Sequence, residues 1–182
     1  MSKRALVVVD LQNEYLPTGK LPLAGIEAAL ANAARVIVAA RERGELVVNV
    51  RHEAATADAP LFTPGSEGVR INAAVAPREG EPVIVKNFPN SFRETGLDHL
   101  LREAGTRDLT IVGAMSHMCI DATARAAVDL GYKVTVVHDA CATRDLEFRG
   151  QVVPAAQVHA ALMAALAFGY GTVTTVDEYL AP

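Results

Sequence analysis

The chain has 182 residues, of which 51% are hydrophobic, 21% charged and 5% aromatic, with a formal net charge of −4. This length and aliphatic composition fit one globular domain over 1–182 with a substantial core, and exclude a disordered chain. A net negative charge without any Lys/Arg run argues against nucleic acid or an anionic membrane as a partner.

The start, MSKRALVVVDLQNEYL, does not read as a signal peptide, because its apolar stretch is short, carries Asp10 and is followed by no small-residue cleavage site. The apolar runs are too short for a bilayer span. Two cysteines without CxxC spacing suggest neither a disulfide scaffold nor a zinc finger. A reducing, cytoplasmic setting is the expectation.

In chain order the pattern alternates strand and helix. Ala5–Asp10 is a continuous apolar run, as in a strand buried on both faces. Gly25–Arg43 has helical spacing and is closed by Gly44. Leu46–Val50 is a second strand. Arg51–Gly80 is a long irregular stretch punctuated by Pro and Gly, and loops of that length are often functional. Val83–Lys86 is a third strand, and Thr95–Ala104 a short helix with Thr95 as N-cap and Gly105 as stop. Leu109–Gly113 is a fourth strand, Cys119–Leu130 a helix ended by Gly131, and Lys133–His138 a fifth strand. Val152–Phe168 reads as an Ala-rich helix with Pro154 in its first turn, and Thr172–Val176 as a β-branched sixth strand.

Six strands with intervening helices imply an α/β fold: a parallel sheet in a three-layer α/β/α sandwich, of expected order 3-2-1-4-5-6. In such a sheet, ligands bind outside the carboxyl ends of the strands where the order reverses, between strands 1 and 4.

Three chemically capable residues fall on that rim. Asp10 closes ALVVVD, Lys86 closes EPVIVK, and Cys119 follows strand 4 at the expected start of a helix. Exposed amides and the positive end of the helix dipole would favour a thiolate at Cys119. A thiol, a carboxylate and an ammonium group are the parts of a nucleophilic hydrolase. Lys86 would stabilise the sulfur charge, and Asp10 would take the thiol proton and return it to a leaving amine. Backbone amides around Met115–Cys119 would receive the oxyanion.

Each residue also has a plainer reading. An Asp at a strand end often forms a turn, and a Lys there is often simply solvated. Cys141, with no charged partner evident, reads as a buried small hydrophobe. The histidines (His52, His99, His117, His138, His159) form neither HxxxH nor HExxH. His52, after strand 2, is expected to line the pocket. His117 is an alternative base ranked below Asp10. No Walker A sequence is present, and no GxGxxG follows the first strand.

DLQNEYL, VIVKNFPNSF and GAMSHMCIDATARAAVDLGYKVTVVHDACAT together resemble the isochorismatase-like cysteine hydrolases, over essentially the whole chain. The resemblance implies the sandwich fold and an Asp10/Lys86/Cys119 catalytic triad. It also implies a cis peptide at Ala114–Met115, which aims the amides of Met115 and Cys119 at the oxyanion. Ser116 stands where Thr is common in the family, so the hydroxyl is kept.

Nicotinamidase members use a metal site with a DxH element after strand 2. Here the segment is VNVRHEA, and Val50 stands where that Asp would be. Neither a catalytic metal nor a cofactor is therefore expected. Isochorismate-cleaving members typically lack the nucleophilic Cys, so Cys119 points to the amidase branch. Its substrates are small molecules with an amide, carbamoyl or lactam C–N bond. Vinyl ether hydrolysis without Cys119, and a non-catalytic binding or redox-sensing protein, are the alternatives.

Tyr15, His52, Phe62, Asn90, Phe92, Ser116 and His117 are the expected pocket residues, and Gln12 is expected to brace Asp10. Asp139 is expected to hold a loop. The apolar last long helix suggests a homo-oligomer.

Overall fold

Two-sided burial of the first strand organises the molecule. A computed structural model describes residues 3–181, and in it β1 (Lys3–Val9) sends alternate side chains into two separate cores. Leu6 and Val8 enter one core together with Ile26, Leu30, Ala33, Val36 and Ile37 of α1 (Ile26–Glu42). Ala5, Val7 and Val9 enter the other, with Leu97 and Leu101 of α2 (Leu97–Glu103) and Ala124 and Ala127 of α3 (Asp121–Asp129). A strand covered on both faces has no solvent side, which explains its unbroken apolar run.

The remaining sheet strands are β2 (Leu46–His52), β3 (Val83–Lys86), β4 (Thr106–Ala114), β5 (Lys133–Ala142) and, after a small insertion, β8 (Gly171–Thr174). Their order is β3-β2-β1-β4-β5-β8, all parallel, with β8 as the sixth strand. This is the α/β sandwich expected from the sequence, with the order reversing between β1 and β4. Helix α1 is closed by a Schellman turn, in which Gly44 at φ 66° donates to Arg41 and Glu45 donates to Ala40.

Several boundaries differ from the sequence reading. Residues 152–153 are not helical: β6 (Leu146–Phe148) and β7 (Gln151–Val153) form an antiparallel hairpin. Helix α4 therefore starts later, as Ala155–Gly169, with Pro154 at its N-cap. Asp145 Oδ1 accepts from the Ala155 amide at 2.7 Å and fixes that start. Alternating Val152 and Val153 had been absorbed into the apolar helical run. Strand β5 continues past His138 to Ala142, with an irregularity: two steps along β4 (Ile111 to Gly113) face five along β5 (Val136 to Cys141). The end of the chain is α5 (Val176–Leu180), whose capping box between Thr175 and Glu178 takes over where the expected strand would have continued.

Two close approaches bring β1 and β4 together beneath the site. Gly113 pairs with Val9, and a side chain there would meet the Val9 carbonyl oxygen. Its φ of 133° also suits glycine. Asp10, the next residue along from β1, has φ 52°, a left-handed conformation that Asp tolerates better than most residues.

Candidate active site

Asp10, Lys86 and Cys119 come from three different strand ends and meet in one buried cluster. Lys86 Nζ lies 2.7 Å from Asp10 Oδ2 and 3.2 Å from Cys119 Sγ. Cys119 and Asp10 lie close enough for each to alter the other's proton affinity. Asp10 and Lys86 are fully covered, and Cys119 is 6% exposed. A buried ion pair contributes little net stability, because desolvation offsets attraction. Its presence at the switch point therefore points to chemistry more than to structure.

Local structure sets the sulfur. After β4 the Ala114–Met115 peptide is cis. A five-residue π turn, Ser116–Ile120, follows and carries Cys119. The Met115 carbonyl accepts from both Met118 and Ile120. Helix α3 begins only at Asp121, so Cys119 precedes the helix and does not open it as the sequence suggested. Single π turns inside helices are frequent at functional sites.

Proton positions follow from the surroundings. Burial pushes the Cys119 thiol well above its ordinary range, the Asp10 charge adds to this, and Lys86 opposes it. This direction favours the neutral thiol over the dipole-stabilised thiolate expected from the sequence. Burial also raises Asp10, with Lys86 pulling the other way. A carboxylate made more basic is better able to accept a proton from a neighbouring thiol.

His52 joins the cluster, with Nδ1 3.2 Å from Lys86 Nζ. Burial and the Lys86 charge lower its pKa to about 4. The ring is thus neutral at physiological pH, and Nδ1 is the acceptor for the ammonium. Lys86 then has three partners: a carboxylate, a sulfur and an imidazole.

Tyr15 and Phe62 wall this side. Phe62 meets the Tyr15 ring at 5.4 Å and the His52 ring at 5.0 Å, both edge-on. Burial, and after it the Asp10 charge, push the Tyr15 hydroxyl well above its ordinary range.

The segment after Asp10 clasps the long loop onto the site. Gln12 exchanges two hydrogen bonds with the His52 backbone, both 2.9 Å, and donates to the Val69 carbonyl at 2.8 Å. It thus braces the end of β2 and the loop, and not the Asp10 carboxylate. Asn13 donates to Glu67. Glu14, 2% exposed, accepts from the Phe62 amide through Oε1 at 2.9 Å. Gly68 packs against the same carboxylate, where a side chain would collide with Oε2. The sequence reading missed Glu14. It stands four residues past Asp10 in the polar run Gln12–Glu14, where no local pattern singles it out.

Other expected pocket residues lie elsewhere or are otherwise engaged. Phe92 stacks on Tyr132 at 6.0 Å and packs against the core cluster that also contains Cys119. Asn90 folds back, its Oδ1 accepting from the Phe92 amide. Ser116 is fully buried and holds the Ala142 carbonyl and His159. His117 Nδ1 lies 2.6 Å from Thr143 Oγ1. Both therefore anchor the turn, Ser116 fully buried and His117 partly exposed. Cys141 donates to the Val137 carbonyl, and its thiol is pushed up to about 12 by burial. Asp139 accepts from the first amide of α5, a structural task.

A hollow of about 870 Å³ lies not here but at the amino-terminal edge of the sheet, among Lys3, Arg4, Arg43, Glu45 and Thr106. Among the described residues, no three His, Cys, Asp or Glu side chains gather closely enough to hold a metal ion. No helix among them is long and apolar enough to cross a membrane.

Comparison with known proteins agrees with this arrangement. The Isochorismatase domain model matches residues 4–178. An uncharacterized isochorismatase family protein of Bacillus subtilis, YddQ, is 48% identical over 176 residues, covering 97% of this chain and 98% of that protein. A provisionally assigned isochorismatase hydrolase from Oleispira antarctica superposes with a TM-score of 0.96 at 51% identity, covering 100% of this chain and 97% of that one. A streptothricin hydrolase of Streptomyces noursei is 39% identical over 152 residues, which is 79% of this chain but 51% of that protein.

Proposed function

The chain belongs to the isochorismatase family, and on that premise we propose that it is a cysteine hydrolase that cleaves the C–N bond of a small amide, carbamoyl compound or lactam. The observation that carries this reading is the mutual contact of Asp10, Lys86 and Cys119 at the sheet switch point. The similarity to a streptothricin hydrolase supports the same branch.

The reaction begins from a neutral thiol. Cys119 Sγ attacks the substrate carbonyl carbon as its proton moves to Asp10, whose raised basicity suits it to the transfer. Lys86, fixed by Asp10 and His52, keeps positive charge 3.2 Å from the sulfur while the proton moves. The carbonyl oxygen becomes an oxyanion, received by the backbone amides of Met115 and Cys119. Collapse breaks the C–N bond, and the amine leaves with the proton from Asp10. A thioester remains. Water then attacks it, Asp10 removes the water proton, and the acid leaves as Cys119 recovers its hydrogen.

In this mechanism Tyr15, His52 and Phe62 shape the pocket, and neither a cofactor nor a metal is required. The substrate is a small molecule, and the protein works in the cytoplasm as a homo-oligomer.

Intact mass spectrometry tests the reading. Wild type, Cys119→Ser and Asp10→Asn are each incubated with primary amides, carbamoyl amines and lactams. The expected result is an acyl adduct on Cys119 in wild type that turns over and is absent in Cys119→Ser. Hydrolysis of a vinyl ether that is undiminished in Cys119→Ala would transfer the chemistry to Asp10 and that substrate class. Absence of any adduct or amine release across the panel would favour a binding or redox role.

A further inference from the structure

The turn that carries Cys119 is held from outside the site by a hydrogen-bonded row of side chains. Ser116, its first residue, lies fully buried between the Ala142 carbonyl at 3.3 Å and His159 Nδ1 at 2.9 Å. A carbonyl oxygen can only accept, so the hydroxyl hydrogen goes to Ala142. The serine lone pair must then accept from His159 Nδ1–H. That assigns the tautomer: in a neutral ring, Nε2 carries the lone pair, and it faces His138 Nδ1 at 3.5 Å. The row therefore runs in one direction, from His138 to His159 to Ser116 to Ala142.

We propose that His159, on α4, is a positioning residue for the nucleophile: through Ser116 it fixes the π turn so that Cys119 Sγ stays within reach of Lys86 and Asp10. This inference rests on the cysteine hydrolase reading for its catalytic consequence. His159 itself touches neither the sulfur's partners nor the pocket wall described above. Its contact lies 43 positions away in sequence and comes from a different layer of the fold. His138 (β5) is the second ring of the row, and the two ring centroids are 5.7 Å apart.

The groups facing the pair are few. Asp139 on β5 acts on His159, and Glu178 on α5 feels the charge of His138. Burial and the neighbouring His138 both disfavour charge on His159. One added proton leaves the contact to Ser116 intact, because Nδ1–H is a donor in either state. Charging both rings sets two cations against each other and strains the row.

The geometry separates the two ring nitrogens, and that gives a test. Asparagine places an amide N–H near the position of Nδ1, whereas glutamine places its amide near Nε2. The full-length protein is prepared as wild type, His159→Ala, His159→Asn, His159→Gln, Ser116→Ala and Ser116→Ala/His159→Ala. Carbamidomethylation of Cys119 by iodoacetamide, located by peptide mass spectrometry, is timed across the histidine and thiol pH ranges. kcat and KM on a turned-over amide, and thermal midpoints, are measured beside it.

The expected result is a fall of roughly ten- to a hundred-fold in alkylation rate and kcat for His159→Ala, His159→Gln and Ser116→Ala. KM should change less than about twofold, and His159→Asn should stay within about threefold of wild type. The double variant should be no worse than either single one, since both remove the same link.

Wild-type rates in His159→Ala would overturn the proposal. So would an equal loss in the Ala, Asn and Gln variants, or losses that add in the double variant. A lowered thermal midpoint with unchanged alkylation would reduce His159 to a structural role and also overturn it. Alkylation needs no turnover, so the two readings fail separately. A wild type that hydrolyses no amide yet shows this pattern keeps the positioning role and loses the hydrolase one.

Discussion

The two edges of the same sheet make opposite use of charge. At the amino-terminal edge, Lys3, Arg4, Arg43 and Glu45 surround a hollow of about 870 Å³. Helices α1 and α2 end at that edge, so its cations lie near the negative ends of helix dipoles, an ordinary surface arrangement. At the carboxyl-terminal edge an ammonium, a carboxylate and a thiol are buried together. The difference teaches that the size of a concavity does not locate chemistry. Desolvated groups that alter one another's proton affinity do.

The comparison is sharpened most by removing groups from the buried edge. Cys119→Ala and Asp10→Asn should each lower hydrolysis of a turned-over amide by about 10⁴-fold or more, measured as amine release. Lys86→Met should lower activity similarly and also cost about 3–5 kcal/mol in denaturant unfolding, because it leaves Asp10 as an uncompensated buried charge. Asp10→Leu/Lys86→Met should recover most of that stability and none of the activity, separating the two contributions.

A smaller effect is expected with pH. The His52 pKa falls from an ordinary 6.5 to about 4 in the folded chain. A depressed pKa contributes stability that is present above pH 6.5 and lost as pH falls toward 4. His52→Asn should therefore flatten the acid side of the stability curve, as read by thermal midpoint against pH. The smallest effect belongs to the opposite edge. Arg4→Met and Arg43→Met should leave kcat unchanged and shift stability by no more than about 0.5 kcal/mol. A large loss of turnover from either would break the contrast drawn between the edges.

Legibility in the sequence followed the range of the interactions. Asp10 and Lys86 could be singled out because each ends an apolar run, and Cys119 because it follows one, and a parallel sheet brings such ends to one rim. The raised proton affinity of the thiol could not be read, since it depends on burial and on the charge of Asp10. Phe92 reads as a wall of the pocket from its place after Lys86, and its stacking on Tyr132 beside the core that holds Cys119 is a contact no local pattern gives. The β6–β7 hairpin was hidden because Val152 and Val153 suit a buried helix as well as a strand. Ser116 and His159 were visible as residues, but their contact depends on how α4 packs against the turn, which no local pattern encodes. Glu14 reads as a solvated loop carboxylate until the Phe62 amide is seen to bond to it.

The closed setting of Cys119 also bears on how long the protein keeps working. Peroxide attacks thiolates far faster than neutral thiols, and each oxidation past the sulfenic acid is hard to reverse. For a sulfur that is 6% exposed, the burial that favours its protonated form also favours the form that ages slowest.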